Sequence, residues 1–116
     1  MTIEDLMNIC KKLKGTTTDI KWDDHLCFNV GEKIYLITSP DQTPPTASFK
    51  VSEVEFERLC EREGIGQARY FAKRQWVSLD NISRLDKEEW EKYINESHRL
   101  VASKLTRKIR VELGIE

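Results

Sequence analysis

The chain has little of what most catalytic signatures require. Its 116 residues include only two histidines, His25 and His98, and three cysteines, Cys10, Cys27 and Cys60. No two cysteines form a Cys-x-x-Cys pair. His25 and Cys27 share a strand face, but His98 is remote, so no ligand set has the spacing of a zinc site. An odd number of separated thiols, each within an apolar pattern, is expected to stay reduced and largely buried. No serine sits in a Gly-rich elbow, and there is no Walker loop or dinucleotide fingerprint. These absences leave no enzyme class in view and no cofactor to expect. No apolar run is long enough to span a bilayer. Met1-Thr2-Ile3-Glu4-Asp5 lacks the basic flank and apolar stretch of a signal peptide. A cytoplasmic protein without membrane attachment is therefore expected. The length suits one domain over residues 1–116, with one hydrophobic core.

What the chain does have is charge, and its placement is uneven. The net charge is −1, which argues against a general polyanion binder. Between Ser52 and Glu63 five glutamates face only Arg58 and Arg62, and between Asp86 and Glu96 five acids face only Lys87 and Lys92. By contrast, Gly64–Leu79 carries Arg69, Lys73 and Arg74 with no acid, and Ser97–Val111 carries Arg99, Lys104, Arg107, Lys108 and Arg110 with none. Segregation of this kind permits one basic face on an otherwise neutral protein.

The pattern along the chain is α+β. Thr2 and Asp5 form a capping-box start, Ile3, Leu6, Met7, Cys10 and Leu13 recur at helical spacing, and Gly15 ends that helix. Thr16–Trp22 favours an extended chain, and Leu26, Phe28 and Val30 alternate toward a tight Gly31-Glu32 turn. Lys33–Thr38 returns with an apolar Ile34-Tyr35-Leu36-Ile37 core. After a loop ending in two prolines, Ala47–Lys50 reads as a short strand. Ser52 and Glu55 predict a full capping box with a Val51–Phe56 staple, and the helix stops at Gly64. Asp86 and Glu89 predict a third box, stapled by Leu85 and Trp90, for a helix burying Trp90, Tyr93 or Ile94, Ser97, Val101 and Leu105. Thr106 restarts a short basic helix ending at Gly114.

Two basic segments remain. Ala68–Trp76 packs three cations and three aromatics into nine residues. As a regular ribbon it would point Arg69, Phe71 and Lys73 one way and Tyr70, Ala72 and Arg74 the other. That mixture on each face suits an edge ribbon with a ring outside the core. Such cations and rings suit phosphates and stackable bases, and equally a solvated ribbon whose rings are core. In the C-terminal segment Lys104, Arg107 and Lys108 are expected to share a helical face. Dipole complementation explains some of these charges but not all of them.

Several stretches together resemble the MmcQ/YjbR family of small bacterial proteins. They are Leu13-Lys14-Gly15-Thr16, Phe28–Tyr35, Phe49-Lys50-Val51, Ala68-Arg69-Tyr70, Trp76-Val77 and Glu96–Val101. The resemblance spans nearly the whole chain. It implies a CyaY-like (frataxin-like) α+β fold, an antiparallel sheet of about five strands with N- and C-terminal helices packed on one face. It also implies a DNA-binding role in which β-ribbons act as two wings. Lys50, Tyr70, Lys73 and Trp76 match family positions. Many relatives carry a longer, His-containing stretch between the tyrosine and the tryptophan. Here Phe71-Ala72-Lys73-Arg74-Gln75 replaces it, so a role for that histidine does not carry over.

The leading expectation is thus a non-enzymatic DNA-binding module. Lys50, Arg69, Lys73, Arg74, Lys104, Arg107 and Lys108 would meet phosphates, with Tyr70 beside them. Binding would be weak and little dependent on sequence. The alternative is a protein-interaction or regulatory domain whose basic face binds an acidic partner. An iron-carrier reading by analogy to frataxin fits poorly, because the first helix has only Glu4 and Asp5 and ends in lysines.

Overall fold

Each helix begins where its sequence provides a cap. Thr2 and Asp5 close a complete capping box at the start of α1 (Ile3–Lys11). Asp86 and Glu89 do the same for α3 (Lys87–Ala102). At α2 (Glu53–Cys60) the box is only half made. The Ser52 hydroxyl accepts from the Glu55 amide, but the Glu55 carboxylate turns away to accept from the Tyr93 hydroxyl at 2.6 Å. The charge-assisted bond to a partner on α3 wins over the reciprocal cap. α4 (Arg107–Glu112) starts at Thr106, which caps the Ile109 amide. In this computed structural model, residues 1–115 are described.

The strands are β1 (Thr16–Lys21), β2 (His25–Val30), β3 (Lys33–Ser39), β4 (Thr46–Lys50), β5 (Ile65–Gln67) and β6 (Trp76–Leu79). They form one six-stranded sheet in the order β1-β2-β3-β4-β6-β5, and every pairing is antiparallel. The expected count of about five falls one short because the three-residue β5 is too brief to show a period. Gly31 and Glu32 both have positive φ, 55° and 66°, as a two-residue hairpin turn between β2 and β3 requires. A side chain at Gly31 would also place its Cβ 2.6 Å from Leu105.

The helices cover one face. Leu6 and Cys10 of α1, Leu59 of α2, and Trp90, Ile94 and Val101 of α3 join Phe28, Leu36, Phe49, Val77 and Leu79 of the sheet in one buried cluster. Trp90 is at its centre, fully buried, with its indole N–H donating to the Ile82 carbonyl at 2.8 Å and its ring 5.4 Å from Phe49. Tyr93 and Ile94 are both buried, where either one was expected. The thiols of Cys10 and Cys27 are free and buried, while Cys60 is half-buried. Burial pushes Cys10 up to about 12 and Cys27 up to about 11, so both stay protonated and inert at neutral pH.

Where β3 and β4 stop pairing, α3 supplies the missing rung. Their last pairs run from Leu36↔Phe49 outward. Beyond them the Ser97 hydroxyl donates to the Tyr35 carbonyl at 2.6 Å and accepts from the Lys50 amide at 3.0 Å. A register shift in β2 between Phe28 and Asn29 leaves Tyr35 unpaired across that ladder. Tyr35 and Leu36 then both enter the helix-side cluster. The Tyr35 hydroxyl bonds Thr16 Oγ1 at 2.9 Å, and its ring meets His98 edge-on at 5.1 Å. His98 Nε2 lies 2.7 Å from the Lys14 carbonyl; a carbonyl only accepts, so this nitrogen carries the proton.

Two stability measurements follow. Trp90→Ala should lose roughly 3–5 kcal/mol, the range for large aromatic truncations in packed interiors. An unchanged denaturation midpoint would contradict its central position. Ser97→Ala removes few atoms yet strands a buried donor and a buried acceptor together, so it should cost about 1–3 kcal/mol. A loss no larger than that of an average surface serine would show that the ladder closes without it.

Candidate nucleic-acid interface

The stretch expected to form a ribbon is a loop. Residues 68–75 contain no strand, and pairing resumes only at Trp76. Two left-handed residues break the extended chain, Tyr70 (φ 68°) and Arg74 (φ 63°). Gln67 holds the resulting fold from inside. Its side-chain amide donates to the Ala68 carbonyl at 2.8 Å and sits 3.4 Å from the Phe71 carbonyl. Its oxygen accepts from the Arg74 amide at 2.9 Å. The ring of Phe71 stacks on Trp76 with centroids 4.3 Å apart, which pins the loop to β6.

The sheet face away from the helices is open over β4 and β6, whereas Cys27 and Ile37 on β2 and β3 are buried. Cys27, Ile37, Ser48, Ser78 and Gly66 form one row across β2, β3, β4, β6 and β5. That row alternates with the core-facing row through Phe28, Leu36, Phe49 and Val77. A groove of about 950 Å³ runs over it, with Ile37, Ser48 and Ser78 beneath and Arg69, Tyr70, Phe71 and Trp22 around it. Tyr70 is 98% exposed and Trp22 64%. The Trp22 ring meets His25 edge-on at 5.7 Å, and His25 Nδ1 is 2.6 Å from Asp24 Oδ1.

The basic residues named from sequence fall into different environments. Arg69 and Lys73 are exposed, and neither has an ion-pair partner among the described residues. Arg74 is engaged. Its Nε donates to Glu53 at 3.0 Å, its other arm bonds Glu57, and its guanidinium lies 5.7 Å from the Phe56 ring. Lys50 follows Phe49 at the end of β4, opposite Trp76. Burial, and then the repelling charge of Lys104, hold its ammonium below the ordinary lysine value. Lys50 therefore stands between the loop and Lys104.

Lys104 does not share a helix with Arg107 and Lys108, contrary to expectation. α3 ends at Ala102, Leu105 is buried against Gly31, and Thr106 starts a new helix. α4 rides on the helix layer, where Ile109 and Leu113 pack against the core. The cations thus form a loop group at the open face and a terminal group on the helical side, joined through Lys50. Sequence reasoning missed Trp22 and Gln67. An aromatic at a hairpin corner was the available signal for the first, and the second had none. Among the described residues no three metal-ligating side chains come together.

A family model described as YjbR matches residues 11–100. A Deinococcus radiodurans protein with a DUF419 domain, solved by crystallography, is similar at 28% identity with a TM-score of 0.88, covering 99% of this chain and 89% of that one. A Pseudomonas syringae protein of known structure is similar in fold at 20% identity with a TM-score of 0.71, covering 87% of this chain and 99% of that one. No curated protein matches the chain.

The loop depends on α2, and α2 is tied to α3 through Glu55. The Tyr93 hydroxyl, working against burial and helped by Lys92 and Arg58, holds the Glu55 carboxyl below its ordinary value of 4.5. Because the folded value is depressed, this contribution is complete above the unfolded value and is lost as pH falls through the folded one. Tyr93→Phe should therefore cost on the order of 1 kcal/mol at neutral pH. The gap from wild type should close below pH 4.5. Denaturant melts across that window check it, and a gap independent of pH would refute the assignment.

Proposed function

The chain belongs to the YjbR family, and from that premise we propose that it is a non-enzymatic module that binds DNA through the loop at residues 68–75. One observation carries the reading. Arg69 and Lys73 are exposed cations that the fold does not use, on either side of a tyrosine ring that is 98% exposed. Long cations without acidic partners are free to exchange condensed counterions for phosphate contacts. Lys50 extends the positive surface away from the loop toward Lys104, and Lys108 stands apart on α4, on the helical side.

The same geometry sets the strength and selectivity. Arg74, held by Glu53 and Glu57, is withdrawn from the set unless those carboxylates release it. The remaining contacts are flexible side chains on the loop, a strand end and helix ends, a set suited to phosphates more than to base edges. Binding is weak, electrostatic and tolerant of sequence. With about three to five phosphates neutralised, the log–log salt slope on duplex DNA should lie near −3 to −4.5.

An anisotropy titration against duplex DNA at two salt concentrations tests this. Arg69→Glu with Lys73→Glu should weaken binding at least about ten-fold on every duplex tried. Glu53→Gln with Glu57→Gln should strengthen it by freeing Arg74. Absence of binding by wild type at low salt would sink the proposal, as would full affinity in the charge-reversed variant. An acidic protein partner would then become the reading to pursue.

A further inference from the structure

We propose that the groove on the open sheet face receives unpaired bases of single-stranded DNA, stacked against Trp22 and Tyr70. The inference rests on the DNA-binding reading above and deepens it by naming what the groove holds. Both rings occupy left-handed backbone positions, Trp22 at φ 52° and Tyr70 at φ 68°. Bulky residues rarely adopt this region, and such residues store backbone strain. Neither ring recovers that strain by burial, since Trp22 is 64% exposed and Tyr70 98%. Two strained, unburied aromatics from different turns line the same groove. The turn joining β1 and β2 accounts for the backbone of Trp22, which shares positive φ with Asp23, but not for leaving its ring unburied.

The rest of the groove suits a base with its phosphate outside. Ile37, Ser48 and Ser78 lie side by side in that order along the groove floor, and the two hydroxyls can donate to or accept from a base edge. Arg69 lines the same groove and has no acidic partner among the described residues, so a phosphate can lie on it while the base turns inward. Trp22 is partly oriented before any ligand arrives, through its edge contact with His25. In the same turn Asp24 bonds that histidine, while Asp23, next to Trp22, is exposed. Duplex DNA keeps its base faces stacked within the helix, so only an unpaired strand can use these rings.

The test compares an octamer of deoxyadenylate with an abasic deoxyribose-phosphate octamer of the same charge, by fluorescence anisotropy. Wild type should bind the base-bearing strand at least about ten-fold more tightly. Trp22→Ala and Tyr70→Ala should each lose about five- to hundred-fold on that strand and nothing on the abasic one, while Tyr70→Phe retains affinity. Both rings are exposed, so unchanged thermal melts will show that the variants fold. Equal binding of the two strands, or truncations without effect, would overturn the base groove. If the abasic strand still responds to salt and to charge reversal at Arg69 and Lys73, the phosphate reading survives that loss. Failure of both strands to bind removes the two together. Deoxyadenosine monophosphate binding as tightly as the octamer would overturn the strand as occupant, and so would an apolar dimer blocking the groove.

Discussion

The Ser97 hydroxyl occupies the point where the two central strands of the sheet part company. It donates to the Tyr35 carbonyl and accepts from the Lys50 amide, replacing with one side chain the backbone rung that β3 and β4 no longer make. A hydroxyl can do this because it is donor and acceptor at once. Threonine would carry an extra methyl into a fully buried site, and alanine would leave both backbone groups unpaired. The bond also locks α3 onto the sheet at a fixed height. His98, the next residue, then reaches Lys14 and the start of β1.

What happens beyond that rung determines where the candidate site lies. Freed from β3, the end of β4 stays with β6, and the Val51 amide bonds the Gln75 carbonyl at 2.9 Å. The loop at 68–75 therefore leaves β5 and returns beside the head of α2, where Glu53 and Glu57 meet Arg74. The continued pairing of β4 with β6 puts Lys50 opposite Trp76, and Lys50 also lies within the field of Lys104.

This arrangement explains which features could be read from sequence. Helix starts were legible at Thr2 and Asp86 because a cap is a contact over three residues. The Ser52 box was legible only in half, because the better partner of Glu55 is Tyr93, far along the chain. Gly31-Glu32 was legible because a two-residue hairpin admits few residue types. The loop at 68–75 was misread as a ribbon because its template is the Gln67 amide, and a glutamine carries no signal of what it will bond. The residues that carry the family resemblance include Lys14, Thr16, Tyr35, Ser97 and His98. These converge on the buried network around Ser97, so they report the fold more than any ligand. The groove-lining Trp22 lies outside them.

The balance between charge and stacking follows from the same map. A chain with net charge −1 cannot rely on long-range attraction to a polyanion, because its field at a Debye length is close to neutral. Short-range contacts must supply what the field does not. Two unpaired cations on one loop give little discrimination between partners, since any phosphate satisfies them. In the proposed mode, two exposed rings over a hydroxyl-bearing floor would discriminate by shape, because only a planar group can lie against them. Arg74 is a third cation in the same loop, with its charge offset by Glu53 and Glu57. In that mode its pairing would keep the electrostatic term small and leave selectivity to the rings.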